Sequence, residues 1–257
     1  QDVAHMTAAG IARRIRDGDL SPVDVAALAA EAGFEAAEIL FPFGTDATAL
    51  DRALAGAGLP LALINCPPSD PLDSQGPRGF AAVPGEEAGF RKALTRSLRY
   101  MDMLGARRLN VMAGVADGPE AAGVFADNLA WAAEAAKGRL LTIEPTNPAD
   151  LPGCFLDDFS VALALLEEIG APNLGLQFDA YHAHCITGDV PGTWEAVAPW
   201  VSHVQVAGAP DRHEPAGGDI DYPAFFRQLD AGGYDGWVSA EYFPRGATQD
   251  GLGWLPD

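Results

Sequence analysis

The chain has 257 residues, 48% of them hydrophobic, with 36 acidic against 16 basic side chains and a net charge of −20. There is enough apolar material for a sizeable core, and the negative field repels nucleic acid and anionic membrane surfaces. There is no apolar run of about 18 residues, so no membrane span is expected. The three cysteines, Cys66, Cys154 and Cys185, suit neither a disulfide framework nor a structural zinc site. No signal peptide is read, and a reducing cytoplasm is the expected compartment.

In chain order, "DVAHM" (2–6) is a short, weak strand candidate, and an added helix and turn follow it. "SPVD" (21–24) places a Ser cap, a Pro and an acidic residue ahead of the helical "VAALAAEAG". "EAAEIL" (35–40) is a strand and "DATALDRALAGAG" a helix; "LPLALIN" (59–65) is the next strand. After a long loop come the helix 86–105, the strand "ARRLNVMAG", the helix "GPEAAGVFADNLAWAAEAAKG" and the strand "RLLTIEP". The helix "DDFSVALALLEEIG" leads to the strand "NLGLQFD", and "VPGTWEAVAPW" to the strand "VSHVQVAG". A polar loop, the helix "DYPAFFRQLDAGG" and the strand "DGWVSAEY" close the series. Gly33, Gly58, Gly105, Gly138 and Gly170 fall at helix ends, as C-caps do.

Strands separated by helices imply a parallel sheet with right-handed crossovers. Seven strands from Glu35 onward plus the weak first one make eight. That points to a single (β/α)8 TIM barrel over residues 1–257, with an atypical first strand and an added N-terminal helix. An open doubly wound sheet is the competing fold, but no Gly-rich phosphate loop follows any strand.

Barrel active sites lie at the C-terminal strand ends. Four successive strands end there with oxygen donors: Glu144, Asp179, Gln205 and Glu241. Taken singly each has a plain structural reading. Glu144 could be a loop residue, Asp179 a helix N-cap and Gln205 a satisfied buried amide. Together, three carboxylates and an amide at one rim repel one another unless a cation joins them. Hard oxygen donors favour Mg2+ or Mn2+. The same rim receives His5, Glu38, Asn65, Asp150, Arg212, His213 and one of His182 and His184. His203 reads as a core or outward residue, and Tyr222 with Phe226 as core packing.

"IEPTNPADLPGCFL", "LGLQFDAYHAH", "HVQVAGAPDRHEPAGGDIDYPAFF" and "GYDGWVSAEYFPR" resemble the hydroxypyruvate isomerase family. That family sits within the xylose isomerase-like barrels, beside ketose 3-epimerases and a repair endonuclease. "AAEILFPF", "LALINCPPSD" and "LNVMAG" extend the likeness upstream, so it runs from about residue 33 to the end. The start differs from the family's usual first strand, and Cys66 stands where a threonine is common.

The resemblance implies interconversion of hydroxypyruvate and 2-hydroxy-3-oxopropanoate through an enediolate. It implies Glu144 and Glu241 as proton-transfer carboxylates, and Glu144, Asp179, Gln205 and Glu241 as the metal site. On that reading Arg212 pairs with the substrate carboxylate, and His182 bonds a hydroxyl or the enediolate oxygen. His213, Asn65 and Glu38 complete the substrate contacts. The alternatives are an isomerase of a 2-oxo-tetronate, a ketose 3-epimerase, and a non-catalytic sugar-acid binding barrel. The expected partner is a small sugar acid or ketose, with no nucleic acid and no membrane; a homo-oligomer is compatible with this.

Overall fold

The computed structural model describes residues 22–66 and 79–255. The strand expected at 2–6 with its His5, the added helix and Ser21 lie outside these residues. Among the described residues seven strands form one sheet in simple sequential order, each parallel to the next. They are β1 (Ala37–Glu38), β2 (Leu61–Asn65), β3 (Arg108–Asn110), β4 (Leu140–Ile143), β5 (Leu174–Asp179), β6 (Val201–Val206) and β7 (Val238–Ala240). α1 (Pro22–Glu31) precedes them, and the helices α2 (Ala47–Ala57), α3 (Glu87–Leu104), α4 (Gly118–Ala135) and α5 (Phe159–Ile169) lie between successive strands. Then come α6 (Ala180–Thr187), α7 (Val190–Val197) and α8 (Tyr222–Ala231).

Curvature closes the sheet toward a barrel. On β6, Gln205 donates to Glu38 of β1 at 2.5 Å, and His203 Nε2 lies 3.0 Å from the same carboxylate. Side chains of the first and sixth strands meet only if the sheet curls and both point inward. The outer layer is apolar: Phe159, Phe178, Trp194 and Phe225 pack with neighbouring ring centroids 5.4–5.8 Å apart. Tyr222 joins this cluster, and its hydroxyl donates to the Ala207 carbonyl at 2.5 Å and accepts from the Ala207 N–H at 3.1 Å. The core tyrosine thereby pins the end of β6.

Local chemistry explains the boundaries. Asp46, Asp158, Asp179, Asp189 and Asp221 each cap a helix by accepting from a backbone N–H. The five helix-end glycines all take positive φ, where a side chain would be strained. β1 is shorter than the 35–40 read from sequence. Its hydrogen bonding nonetheless continues, with Ile39 N–H to the Leu63 carbonyl at 3.2 Å and Asn65 N–H to the Leu40 carbonyl at 2.9 Å.

Candidate active site

The strand ends deliver their side chains to one rim. Glu144 follows β4 directly. Its Oε2 accepts from Asn110 Nδ2 at 3.1 Å and Gln177 Nε2 at 2.9 Å. Oε1 is left facing His182 Nε2 at 3.8 Å. Burial first, then the charges of Glu241 and Asp179, push the Glu144 carboxyl well above the usual carboxylate range. A carboxyl held there keeps or takes up a proton more readily than an ordinary one.

Asp179 caps a helix with one oxygen and turns the other toward the rim. Oδ1 caps α6 by accepting from Tyr181 N–H at 2.8 Å, and Oδ2 faces the site, 3.3 Å from Arg212 Nη2 and 3.6 Å from His182 Nε2. The side chain is fully buried. Glu241 follows β7, and its N–H extends the ladder to the Val206 carbonyl at 3.1 Å. Its Oε2 lies 3.2 Å from Arg212 Nη2.

Arg212 comes from the polar loop after β6. Its Nη1 pairs with Asp150 at 3.1 Å and its Nη2 with Asp179 and Glu241, and the guanidinium lies over the Tyr181 ring at 5.2 Å. Burial works against its charge, yet Asp179, Glu241, Glu144 and Asp150 together hold it above the usual arginine value. The sequence suggested a reader of a substrate carboxylate. In the structure both Nη atoms are committed to the chain's own carboxylates. Nε is buried and without a partner among the described residues.

The loop folds back on itself to place this arginine. Gly208 N–H donates to the His213 carbonyl at 2.7 Å, and Phe243 N–H to the Arg212 carbonyl at 2.8 Å. At Gly218 a Cβ would collide with the Ala209 carbonyl oxygen, so only glycine permits the close return. His213 is not brought into the constellation. Its Nδ1 lies 2.6 Å from the Phe243 carbonyl, tying the loop to the segment after β7.

Gln205 is buried between two partners. Its Oε1 accepts from Gln177 Nε2 at 2.7 Å and its Nε2 donates to Glu38. Glu38 thus closes an interior chain running Asn110, Glu144, Gln177, Gln205, Glu38 and His203. His203 lies in this chain, inside the barrel. Asn65 ends β2 in register with Asn110 on β3. Both side-chain oxygens are buried without a partner among the described residues. His182 faces the site and is almost fully buried. Burial pushes its imidazole down, against the pull of Asp179. His184 lies on the same short helix and is half-buried. Cys66 is buried beside the rim, with its thiol pushed up to about 12 by burial.

Sequence reasoning passed over Gln177, Asn110 and Asn147. A signal existed for the first, since two residues before Asp179 means the same face of the strand. One donor atom each from Glu144, Asp179 and His182 lie within 4.8 Å of one another, a spacing that fits a cation.

Residues 26–257 match the family model described as xylose isomerase-like TIM barrel. The chain is 43% identical to a 2-oxo-tetronate isomerase of Cupriavidus necator, with 91% of each chain covered. It is 34% identical to the hydroxypyruvate isomerase of Escherichia coli, covering 88% of this chain and 90% of that one. Among solved structures, an AP endonuclease, family 2, from Brucella melitensis superposes with a TM-score of 0.87 at 38% identity, covering 92% and 93% of the two chains. Among the described residues no helix is long and apolar enough to cross a membrane.

Proposed function

The chain belongs to the xylose isomerase-like TIM barrel family, and from that premise we propose that it is an aldose–ketose isomerase of short 3-hydroxy-2-oxo acids, with hydroxypyruvate the smallest. The observation that carries this is the placing of Glu144 and Glu241 at the ends of β4 and β7. Asp179 stands between them in strand order, and Arg212 bridges Asp179 and Glu241.

In the proposed reaction a carboxylate, Glu144 or Glu241, takes the proton from C3 of the substrate. The electron pair of that C–H bond forms the C2–C3 double bond of an enediolate, with the negative charge on the former carbonyl oxygen. The proton returns to C2, the C3 hydroxyl gives up its proton to the C2 oxygen, and C3 becomes the carbonyl. Atoms and charge balance with no outside reagent. Glu144, pushed up by burial and its neighbours, is suited to hold a proton in mid-cycle. Arg212 sets a fixed positive charge between Glu241 and Asp179.

The donor set fits a divalent cation. Several carboxylates meet one guanidinium, so a net negative charge is left inside the rim. Glu144, Asp179 and Glu241 would hold the ion, with the second lone pair of Gln205 Oε1 beside them. When bound, Mg2+ or Mn2+ supplies Lewis acidity toward adjacent carbonyl and hydroxyl oxygens.

Within this class, a 2-oxo-tetronate as the substrate is favoured by the 43% identity to the Cupriavidus enzyme. The reacting carbons are the same, and the added hydroxymethyl could donate to the open oxygens of Asn65 or Asn110. The test is turnover of hydroxypyruvate, a 2-oxo-tetronate and a ketohexose side by side, with and without EDTA. Turnover of either acid supports the proposal. Activity on the ketohexose alone, or on none of the three, overturns it.

A further inference from the structure

Asn147 lies three residues past Glu144, in the loop after β4, and is 1% exposed. Its Oδ1 accepts from the backbone N–H groups of Ala149 and Asp150, each at 3.0 Å. A backbone N–H only donates, so these two bonds fix which end of the amide is oxygen. The other end, Nδ2, therefore faces His182 Nδ1 at 2.7 Å. The Asn147 backbone N–H donates to the same ring nitrogen at 3.3 Å. Two donors aimed at one nitrogen require a lone pair there. In the neutral imidazole the proton then sits on Nε2.

That placement limits the opposite side of the ring. Nε2 lies 3.6 Å from Asp179 Oδ2 and 3.8 Å from Glu144 Oε1. A histidine that ligates a metal through one nitrogen almost always donates its other N–H to an acceptor. Here the other nitrogen faces only donors. Spacing alone groups His182 with Glu144 and Asp179 as a ligand set, and the hydrogen bonding removes it from that set.

We infer that Asn147 is a positioning residue that locks His182 as an Nε2–H donor to the substrate and withholds it from metal ligation. The N–H faces the carboxylate-lined space where the substrate's carbonyl oxygen would gain charge, and a donor fixed there in advance stabilises that charge. This last step rests on the isomerase reading; the tautomer does not.

Long-range proton–nitrogen NMR on protein labelled with 15N-histidine tests it. In the wild-type protein His182 should show a protonated Nε2 and a bare Nδ1, unchanged at saturating Mg2+. A protonated Nδ1, or loss of the Nε2 proton on adding Mg2+, overturns the inference. Asn147→Asp keeps the oxygens that hold Ala149 and Asp150 but turns the donor toward His182 into an acceptor. It should move the proton to Nδ1 and lower kcat by roughly 10²–10⁴-fold, with KM changing far less. An unmoved proton in this variant, or a moved proton with wild-type kcat, overturns the positioning role. Should the Asp variant not fold, Asn147→Ala, which leaves only the longer backbone bond to Nδ1, should give a detectable Nδ1–H fraction, and a wild-type Nε2–H population there overturns the role of the Asn147 side chain. Wild-type protein with the stated tautomer and no turnover of any acid would defeat the isomerase reading alone.

Discussion

Nη2 of Arg212 stands 3.2 Å from Oε2 of Glu241, so the loop after β6 brings a fixed cation to the carboxylate that ends β7. The same Nη2 meets Asp179, and Nη1 meets Asp150. Arg212→Lys keeps the charge but cannot serve these three carboxylates at once. Losing a hydrogen bond to a charged group costs about 1.5–3 kcal/mol, so kcat/KM should fall about 10- to 100-fold. Steady-state assays on hydroxypyruvate and a neutral ketose should show both falling if the arginine serves the carboxylates. A loss confined to the acid would assign it to reading the substrate carboxylate.

Glu241→Gln keeps the outline of the side chain and removes the base. Turnover should drop by at least ~10²–10⁴-fold while the thermal unfolding midpoint stays near that of the wild type. Deuterium incorporation from solvent into the substrate, followed by NMR, should drop in parallel. Near-normal exchange would leave Glu241 a role in charge and ligation only.

Chelation should abolish turnover, and Mn2+ or Mg2+ should restore it. An ion that binds only the folded chain stabilises it by about 2.7 kcal/mol at a hundred times Kd, so the unfolding midpoint should rise with added ion. Full activity in EDTA, with no shift of the midpoint, would show that Arg212 alone balances the carboxylates.

Thiol labelling should separate the cysteines. Cys66 and Cys154 are buried, and burial pushes their thiols up to about 12 and about 11. Cys185 is exposed. A native titration with a thiol reagent should modify Cys185 first and leave the other two until the chain unfolds. Rapid native labelling of Cys66 would show that the rim opens.

Gly114→Ala should destabilise the fold. Gly114 has positive φ, and a Cβ there would collide with the Gly79 carbonyl. Backbone has nowhere to yield, and a loss of roughly 1–3 kcal/mol in unfolding free energy is expected. Chemical denaturation measures it.

The alternation of strands and helices was legible because apolar period and caps are local properties. The convergence of Glu144, Asp179 and Glu241 followed from it, since a parallel barrel brings every strand's C-terminal end to one rim. The resemblance to the hydroxypyruvate isomerase family was likewise carried by contiguous motifs around those ends. What tertiary structure alone decided is where each polar atom points. Gln205 and Glu38 are 167 residues apart and share a 2.5 Å hydrogen bond. His213, next to Arg212 in the chain, turns away to the Phe243 carbonyl. Asn147 and His182, 35 residues apart, meet at 2.7 Å. Hydrogen bonds form over about 3 Å and depend on angle, so the residue order places a group at the rim but not the direction of its lone pairs. Only the packed barrel sets those directions.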